Sequence, residues 1–118
     1  MKLGVITNFD AAHSLPRYDG KCRNVHGHTY TVEVIVEGEI DAESNFVMDY
    51  MELKLILEAV LERLDHRYLN DVIEYPTCEM IATYIKEELL KELSLKEPPI
   101  KLVSLKIWEG KDKWVMIE

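Results

Sequence analysis

Residues 28–37, with the sequence HTYTVEVIVE, decide the fold because apolar and polar side chains alternate along them. Successive side chains of a β-strand point to opposite faces of the sheet. Tyr30, Val32, Val34 and Val36 therefore share one face, and that face is apolar throughout. The pattern predicts a strand that buries one face against a core and leaves the other face more polar.

A similar segment precedes this strand. Residues 2–13 also alternate, and the intervening residues 14–25 contain the turn formers Pro16 and Gly20. We therefore predict that the first two strands form an antiparallel pair with a loop between them. A mild break in the alternation at residues 29–31 indicates a bulge in the second strand.

Two amphipathic helices follow the strands. Asp49 and Thr77 carry side-chain oxygens that cap helix starts, which predicts helices over residues 50–64 and 78–93. Apolar residues recur along one side of each predicted helix. These stripes consist of Leu53, Leu57, Val60, Leu61 and Leu64 in the first helix and of Ile81, Tyr84, Ile85 and Leu89 in the second.

The chain ends in two further strand-like segments. Residues 100–108 and 113–117 have strand patterns, and residues 109–112 form the turn between them. The order β-β-α-α-β-β predicts an α+β fold in which both helices cover one face of a four-stranded antiparallel sheet. With 118 residues, the chain is expected to be a single domain, residues 1–118. The sheet has two open edges, which favour pairing with another chain.

Charge and composition exclude several classes of partner. The net charge of −8 disfavours binding to nucleic acid or to an acidic membrane, although a local basic pocket for a phosphorylated small molecule is compatible with it. No apolar run is long enough to cross a bilayer and no signal segment begins the chain, so we expect a cytoplasmic protein. Cys22 and Cys78 are expected to stay reduced there, with Cys78 as a packing residue at a helix start.

Three of the four histidines are arranged as metal ligands would be. His26 and His28 lie two residues apart on extended chain and so point to the same side, and Gly27 leaves room for close approach. His13 ends the strand that should pair with theirs. Three imidazoles with a free fourth position are typical of catalytic zinc, which would polarise a substrate hydroxyl or carbonyl.

Other interpretations of these histidines stay open on the residues alone. In one, they are ordinary surface or core side chains without a metal. In another, Cys22 supplies a thiolate as a fourth ligand and closes a structural zinc site. If Cys22 lies outside the coordination sphere, a nearby zinc ion or protonated histidine would favour its thiolate, which suits a base or a nucleophile.

Two further positions carry polar side chains with more than one interpretation. The Asp65 carboxylate can hold the tautomer of His66 and raise its basicity, or His66 can cap backbone carbonyls at a helix end. Glu109 follows the third strand and would, without other information, be a solvated turn carboxylate. A zinc hydrolase is a further alternative, in which His66 is the one evident partner for a bound water.

Several short motifs occur in the order in which a known family has them. They are FDAAH at residues 9–13, CRNVHGH at 22–28, LDHRYLN at 64–70, PTCE at 76–79 and IWE at 107–109. Together they resemble the 6-pyruvoyl-tetrahydropterin synthase / 6-carboxytetrahydropterin synthase family. The resemblance covers essentially the whole chain, and the combination of motifs is highly specific.

The resemblance implies the tunnelling fold (T-fold), in which four antiparallel strands are backed by two helices. Family members form trimers and usually hexamers, as dimers of trimers, with sheet edges joined into a barrel and active sites between subunits. A homo-oligomer, most often a hexamer, is therefore implied here. The resemblance also implies Zn²⁺ as the cofactor, held by His13, His26 and His28.

The resemblance further implies four catalytic positions. Cys22 corresponds to the family's proton-accepting cysteine, and His66 with Asp65 corresponds to its charge-relay pair. Glu109 corresponds to another relay residue, whose carboxylate also anchors the pterin ring through two parallel hydrogen bonds. The wall of the pterin pocket is implied at Thr77 and Glu79.

The implied activity is that of a zinc-dependent carbon–oxygen lyase acting on 7,8-dihydroneopterin triphosphate. The short gap between Cys22 and His26 resembles the 6-carboxytetrahydropterin synthases of the deazapurine (queuosine and archaeosine) pathway, which release triphosphate and acetaldehyde. The alternatives are a 6-pyruvoyl synthase of the tetrahydrobiopterin type and a non-catalytic pterin-binding module. A branch that makes 6-hydroxymethyl-dihydropterin carries Glu at the cysteine position, so Cys22 argues against it. Lys21, Arg23 and Arg17 are candidate triphosphate cations, although ordinary solvated charge is the preferred explanation for them.

Overall fold

The computed structural model describes residues 1–118 and confirms the predicted order of elements. The four strands form one antiparallel sheet in the order β1-β2-β3-β4, so β1 and β4 are its edges. The elements are β1 Lys2–His13, β2 His26–Glu37, α1 Tyr50–Leu61, α2 Cys78–Leu93, β3 Lys101–Glu109 and β4 Lys113–Ile117.

The apolar face of β2 is the floor of the core. Tyr30, Val32, Val34 and Val36 are all 0% exposed, as the alternation predicted. Helix α1 packs on β1, helix α2 packs on β3 and β4, and the two helices pack against each other. Their buried side chains and the inward side chains of the sheet form one cluster, because both helices cover the same face.

Both helices begin at the predicted capping residues. The Asp49 carboxylate accepts a hydrogen bond of 2.8 Å from the backbone N–H of Met51, and the Thr77 hydroxyl accepts one of 3.2 Å from that of Met80. Of the apolar stripe predicted for α2, only Tyr84 is half-buried rather than buried. Neither helix has the length and apolar character needed to cross a membrane.

The predicted end of the first helix is wrong. Helix α1 ends at Leu61, and residues 62–65 continue as irregular turns, in which the N–H of Leu64 donates to the carbonyl of Leu61. Leu64 is nevertheless fully buried. The apolar pattern therefore continues past the helix, because side chains of the following turns also enter the core.

Strand boundaries and register differ in detail from the prediction. Strand β2 begins at His26, and β3 includes Glu109, which the sequence pattern places in a turn. The pairing of β1 with β2 is continuous through residues 29–31, so the bulge predicted there is wrong. The irregularity lies between Ile35 and Val36, where β2 pairs with β3.

The face of the sheet that the helices leave uncovered carries exposed apolar side chains. Ile6 is 56% exposed, Trp114 53% and Met116 39%. On the same face the ammonium group of Lys106 lies 4.5 Å from the ring centroid of Trp108 and 4.1 Å from that of Trp114. This outer face therefore combines apolar and aromatic surface without a helix to cover it.

Candidate functional site

Three imidazoles converge where β1 ends and β2 begins. The antiparallel register places His13 opposite His26 and Ala11 opposite His28. The ring centroids are 4.6 Å apart for His13 and His26, 5.2 Å for His13 and His28, and 4.8 Å for His26 and His28. One ligand atom of each ring lies within 4.8 Å of those of the other two. The strand register alone therefore brings together the three predicted metal ligands.

The Nε2 atoms of all three rings are buried and have no hydrogen-bond partner. Nδ1 of His13 lies 2.8 Å from the backbone oxygen of Pro76, and Nδ1 of His26 lies 2.7 Å from that of Asn24. Because a carbonyl oxygen only accepts, each of these Nδ1 atoms donates, and in the neutral form of each ring the lone pair is therefore on Nε2. Buried lone pairs without donors are costly, and a bound cation would satisfy them together.

The neutral form of His28 is favoured by its surroundings. Burial is the largest influence and lowers the pKa of His28, the Glu109 carboxylate raises that pKa, and His13 and His26 lower it. A neutral imidazole is the form that coordinates metal ions. Three imidazole nitrogens that meet at one point are, in their neutral form, a donor set that fits zinc.

A carboxylate stands beside the three rings. Oε1 of Glu109 lies 3.6 Å from Nε2 of His28, and Oε2 lies 4.0 Å from Nε2 of His13. Glu109 is the last residue of β3, where it pairs with Tyr30 of β2 and Lys113 of β4. The strand ends therefore fix this carboxylate at the border of the histidine cluster.

Glu109 also lines a pocket of about 330 Å³. Thr77 and Glu79, from the start of α2, line it together with Glu109 and Lys113. The remaining lining residues are Leu15, Tyr18, Cys78, Trp114 and Val115. The three positions at which the sequence resemblance implies pterin contacts therefore share one pocket, adjacent to the histidines.

Cys78 packs in the wall of this pocket. Its Sγ lies 3.8 Å from the backbone oxygen of Ile107. Burial raises the pKa of the Cys78 thiol to about 12, and the charges of Glu109 and Glu79 contribute to the rise. Such a thiol stays protonated at neutral pH and is a poor nucleophile. The geometry supports the packing role predicted for Cys78.

Cys22 lies apart from the three rings, in the loop between β1 and β2. It belongs to a single 3₁₀ turn, Lys21–Arg23, and its backbone oxygen accepts a 2.8 Å hydrogen bond from the N–H of Leu15. The thiol is free and half-buried, and the mutually close ligand atoms are those of the three histidines only. The ligand atoms that converge are therefore those of the three histidines, and the Cys22 sulfur is not among them.

The basic residues of this loop are engaged elsewhere or solvated. The guanidinium carbon of Arg17 lies 4.0 Å from the ring centroid of Tyr75. Lys21 and Arg23 are exposed. None of the three lines the pocket beside Glu109, so their placement is that of ordinary surface charge.

Asp65 and His66 form a hydrogen-bonded pair at the open edge of β1. Nδ1 of His66 lies 2.9 Å from Oδ2 of Asp65, and Oδ1 of Asp65 accepts a 3.0 Å hydrogen bond from the N–H of Asp10. The Asp65 carboxylate raises the pKa of His66. The pKa of Asp65 is lowered, first by the hydrogen bond from Asp10 and then by that from His66.

This pair lies on the other face of the two strands from the three converging histidines. Asp10 and Thr29, which adjoin the pair, are one residue out of phase with Ala11 and His28. Their side chains consequently point to the opposite face of the sheet. His66 and His28 both border a shallow depression of about 630 Å³. A single chain therefore brings His66 near the strands that carry the three histidines but not into the histidine cluster.

Two polar residues at these sites escaped the sequence analysis. Lys113 lines the pocket beside Glu109, and the Asp10 carboxylate lies within 4.8 Å of ligand atoms of Asp65 and His66. The position of Lys113 depends on the β3–β4 register, and the contact of Asp10 depends on a loop that docks from 55 residues away, so neither is revealed by spacing in the sequence. The one available signal was a carboxylate within the FDAAH motif.

Comparison with known proteins places the chain among pterin enzymes. The family profile described as 6-pyruvoyl tetrahydropterin synthase matches residues 2–118. A Pyrococcus furiosus protein named dihydroneopterin monophosphate aldolase is 40% identical over 120 residues, covering 100% of this chain and 99% of that protein. A Synechocystis protein named 6-carboxy-5,6,7,8-tetrahydropterin synthase is 42% identical over 89 residues, covering 70% of this chain and 69% of that protein.

The fold comparison agrees with the sequence comparison. The solved structure of Caenorhabditis elegans 6-pyruvoyl tetrahydropterin synthase matches with a TM-score of 0.86 at 29% sequence identity, covering 100% of this chain and 94% of that one. The matching structure confirms the predicted T-fold. Since the profile spans almost every residue, including the three converging histidines and Glu109, the chain belongs to the 6-pyruvoyl tetrahydropterin synthase family.

Proposed function

We propose that this chain is a zinc-dependent carbon–oxygen lyase that converts 7,8-dihydroneopterin triphosphate to 6-carboxy-5,6,7,8-tetrahydropterin. One observation carries the proposal. Three buried histidine Nε2 atoms without hydrogen-bond partners converge, and those of His13 and His28 lie 4.0 Å and 3.6 Å from the carboxylate of Glu109, which also lines a pocket. The nitrogens fit a zinc ion, and the Glu109 carboxylate in the wall of the pocket suits a ligand with N–H groups on one edge. A dihydropterin has such an N–H edge on its ring, and its hydroxylated side chain offers oxygens to the metal.

The metal would be held by His13, His26 and His28. When bound, zinc polarises hydroxyl and carbonyl oxygens and so makes the protons beside them easier to remove. The backbone oxygens that accept from Nδ1 of His13 and His26 fix two of the rings independently of the metal. This orientation supports a resident metal centre.

Glu109 would hold the pterin ring. The amino-pyrimidinone edge of a pterin presents parallel N–H donors, and an ionised carboxylate accepts both of them. Because Oε1 of Glu109 lies 3.6 Å from Nε2 of His28, a ring anchored there is next to the metal ligands. Thr77 and Glu79 line the same pocket and would contact the ring or its substituents.

Cys22 and the Asp65–His66 pair would move the protons of the substrate side chain. A thiolate is suited to take a proton from carbon beside a polarised oxygen, and an imidazole held by a carboxylate is suited to exchange another. Reduction of the pterin ring is balanced by oxidation of its side chain, so no external reductant is required. Triphosphate leaves, and in the carboxy branch one water is consumed and two carbons leave as acetaldehyde.

A homohexamer, built as a dimer of trimers, would complete the site. Within one chain the Asp65–His66 pair lies on the opposite face of the strands from the metal ligands, so a second copy would supply that pair. The open edges of β1 and β4 and the exposed outer face support such an assembly. Joining the sheets edge to edge into a barrel would pair the open edges and enclose one face of each sheet. We place the enzyme in the cytoplasm, where its free thiols stay reduced.

An aldolase acting on a dihydroneopterin phosphate is the second candidate. It is favoured by the full-length match, at 40% identity, to the Pyrococcus furiosus protein of that name. The reaction would break the bond between the first two side-chain carbons. The second hydroxyl would lose its proton and the first carbon would gain one, which gives 6-hydroxymethyl-7,8-dihydropterin and a phosphorylated glycolaldehyde. The family branch that makes 6-hydroxymethyl-dihydropterin carries Glu at the position of Cys22. By this resemblance, Cys22 favours the synthase over the aldolase.

Product mass is the measurement that tests the proposal. Zinc-loaded protein is incubated with 7,8-dihydroneopterin triphosphate or monophosphate. The products are then separated, and their masses are measured by mass spectrometry. We expect 6-carboxytetrahydropterin together with acetaldehyde and triphosphate. A 6-pyruvoyl product would assign the tetrahydrobiopterin-type reaction, and a 6-hydroxymethyl product would assign the aldolase. Bound pterin without turnover of either substrate would identify a non-catalytic binding module.

Glu109→Gln is expected to weaken pterin binding far more than zinc binding. The amide has the size of the carboxylate but lacks its charge and replaces one acceptor oxygen by a donor. We expect the Kd for a pterin to rise by about 10- to 100-fold, as for loss of a hydrogen bond to a charged group. Fluorescence titration measures pterin affinity, metal analysis measures zinc, and Asp112→Asn in the neighbouring turn is the control. Loss of zinc with unchanged pterin affinity would refute the anchoring role.

A further inference from the structure

Asp10 is bonded to the Asp65–His66 pair through its backbone. Its N–H donates to Oδ1 of Asp65 at 3.0 Å, and its carbonyl oxygen accepts a 2.6 Å hydrogen bond from the N–H of His66. The next outward residue of β1 continues this docking, because the N–H of Ala12 donates to the carbonyl of Arg67 at 3.0 Å. The loop that carries the pair is therefore bonded along the free edge of β1.

The backbone of His66 depends on this support. Its φ is 56°, in the left-handed region that a side chain with a Cβ atom rarely adopts. The hydrogen bond from its own N–H to Asp10 helps to hold that conformation. Asp10 therefore helps to fix the backbone position from which the His66 imidazole extends.

The carboxylate of Asp10 is also held in place. Asp10 lies directly opposite Thr29 in the β1–β2 register, and the Thr29 hydroxyl donates to Oδ1 of Asp10. Ligand atoms of Asp10, Asp65 and His66 all lie within 4.8 Å of one another. Both oxygens of Asp65 and one of Asp10 already take part in hydrogen bonds, so the group is an ordered ion-pair network.

We propose that Asp10 is a positioning residue for His66, in which a carboxylate oriented by Thr29 stands beside that of Asp65 and stabilises the protonated imidazole. The inference rests on the proposed function, where His66 exchanges a proton with the substrate. Asp10 itself does not touch the substrate in this assignment. It acts through the geometry and the charge of His66.

The charged groups around His66 are consistent with that role. Asp65 on the same loop and Asp10 on β1 are negative, whereas Arg67 and, when protonated, His28 are positive and border the same depression. The pKa of His66 is raised, mainly by Asp65 and with a further contribution from Asp10, against the opposing effect of burial. Hence the two carboxylates prevail, and the protonated ring persists to higher pH than an isolated histidine would allow.

Asp10→Asn in the zinc-loaded full chain tests the inference. The amide keeps the size of the side chain and both backbone hydrogen bonds, and it removes the charge. We expect an NMR titration of the His66 ring to move to lower pH, together with the limb of the pH–rate profile that depends on His66. We expect kcat to fall by roughly threefold to tenfold. Removal of a general acid or base would lower it more, by about 100-fold or beyond.

Further variants keep the inference falsifiable. Thr29→Val removes the orienting hydroxyl and should give part of the same shift, and it replaces Asp10→Asn if that variant does not fold. Asp10→Glu should restore the titration toward that of the wild type, and Asp112→Asn should leave it unchanged. An unshifted His66 titration in Asp10→Asn and Thr29→Val overturns the positioning role. Absence of turnover in the wild type overturns the proposed function instead, because the NMR titration does not depend on activity.

Discussion

His28→Ala is expected to lose zinc and, with it, all measurable turnover. Only two imidazoles would remain at a centre that needs three protein ligands. Loss of a residue that only supports a ligand lowers metal affinity by up to about 100-fold, so loss of a ligand itself should lower zinc affinity further. His28 is the most informative ligand to remove. Its side chain is 22% exposed, whereas that of His13 is 1% exposed and bonded to Pro76, so replacing His13 would also disturb packing.

Metal analysis after gentle purification and dialysis measures this effect. The wild type should contain about one zinc per chain, and His28→Ala should contain almost none. His66→Ala is the matched control, because it should lose turnover while it keeps zinc. Zinc at the wild-type level in His28→Ala would exclude His28 from the centre. A wild type without metal would contradict the three-histidine centre as a whole.

Cys22→Ala is expected to retain zinc and to lose turnover by about 10²- to 10⁴-fold, the range for removal of a general acid or base. The physical reason is placement: the thiol lies in the loop turn Lys21–Arg23, and the converging ligand atoms belong to the three histidines. Metal content and product formation are measured on the same preparation. Loss of zinc from this variant would reinstate the closed structural site with sulfur as the fourth ligand.

Mixed assemblies of Cys22→Ala and His66→Ala test whether the site is shared between copies. If one copy supplies Cys22 and another supplies His66, coexpressed variants should recover up to about a quarter of the wild-type turnover through sites that contain both intact residues. Each variant alone should stay inactive. Mixed assemblies as inactive as the separate variants would contradict a shared site.

The fold could be predicted because its signals are local. The alternation over residues 28–37 fixed the buried face of β2, and the capping side chains of Asp49 and Thr77 fixed both helix starts. The end of α1 could not be predicted, since Leu64 enters the core from a turn and so extends the apolar pattern. Glu109 belongs to β3 because it pairs with residues of two neighbouring strands, a long-range effect that a turn-like sequence conceals.

The candidate site divides in the same way. The convergence of the three histidines follows from the spacing of His26 and His28 and from the pairing of two adjacent strands, both of which are visible in the sequence. The location of His66 does not follow, because it depends on a left-handed backbone and on hydrogen bonds to the edge of β1. Asp10 was overlooked for the same reason. Its partners are 55 and 19 residues away in the chain.

The adjacent positions of His28 and Thr29 have an evolutionary consequence. The His28 side chain is one of the converging imidazoles, whereas the Thr29 side chain belongs to the ion-pair network of Asp10 on the opposite face. Inserting or deleting a single residue in either strand would exchange the two faces and dismantle both sites at once. We therefore expect length variation among descendants of this chain to be confined to loops such as residues 14–25, while β1 keeps a constant length up to His13 and β2 keeps a constant length from His26 onward.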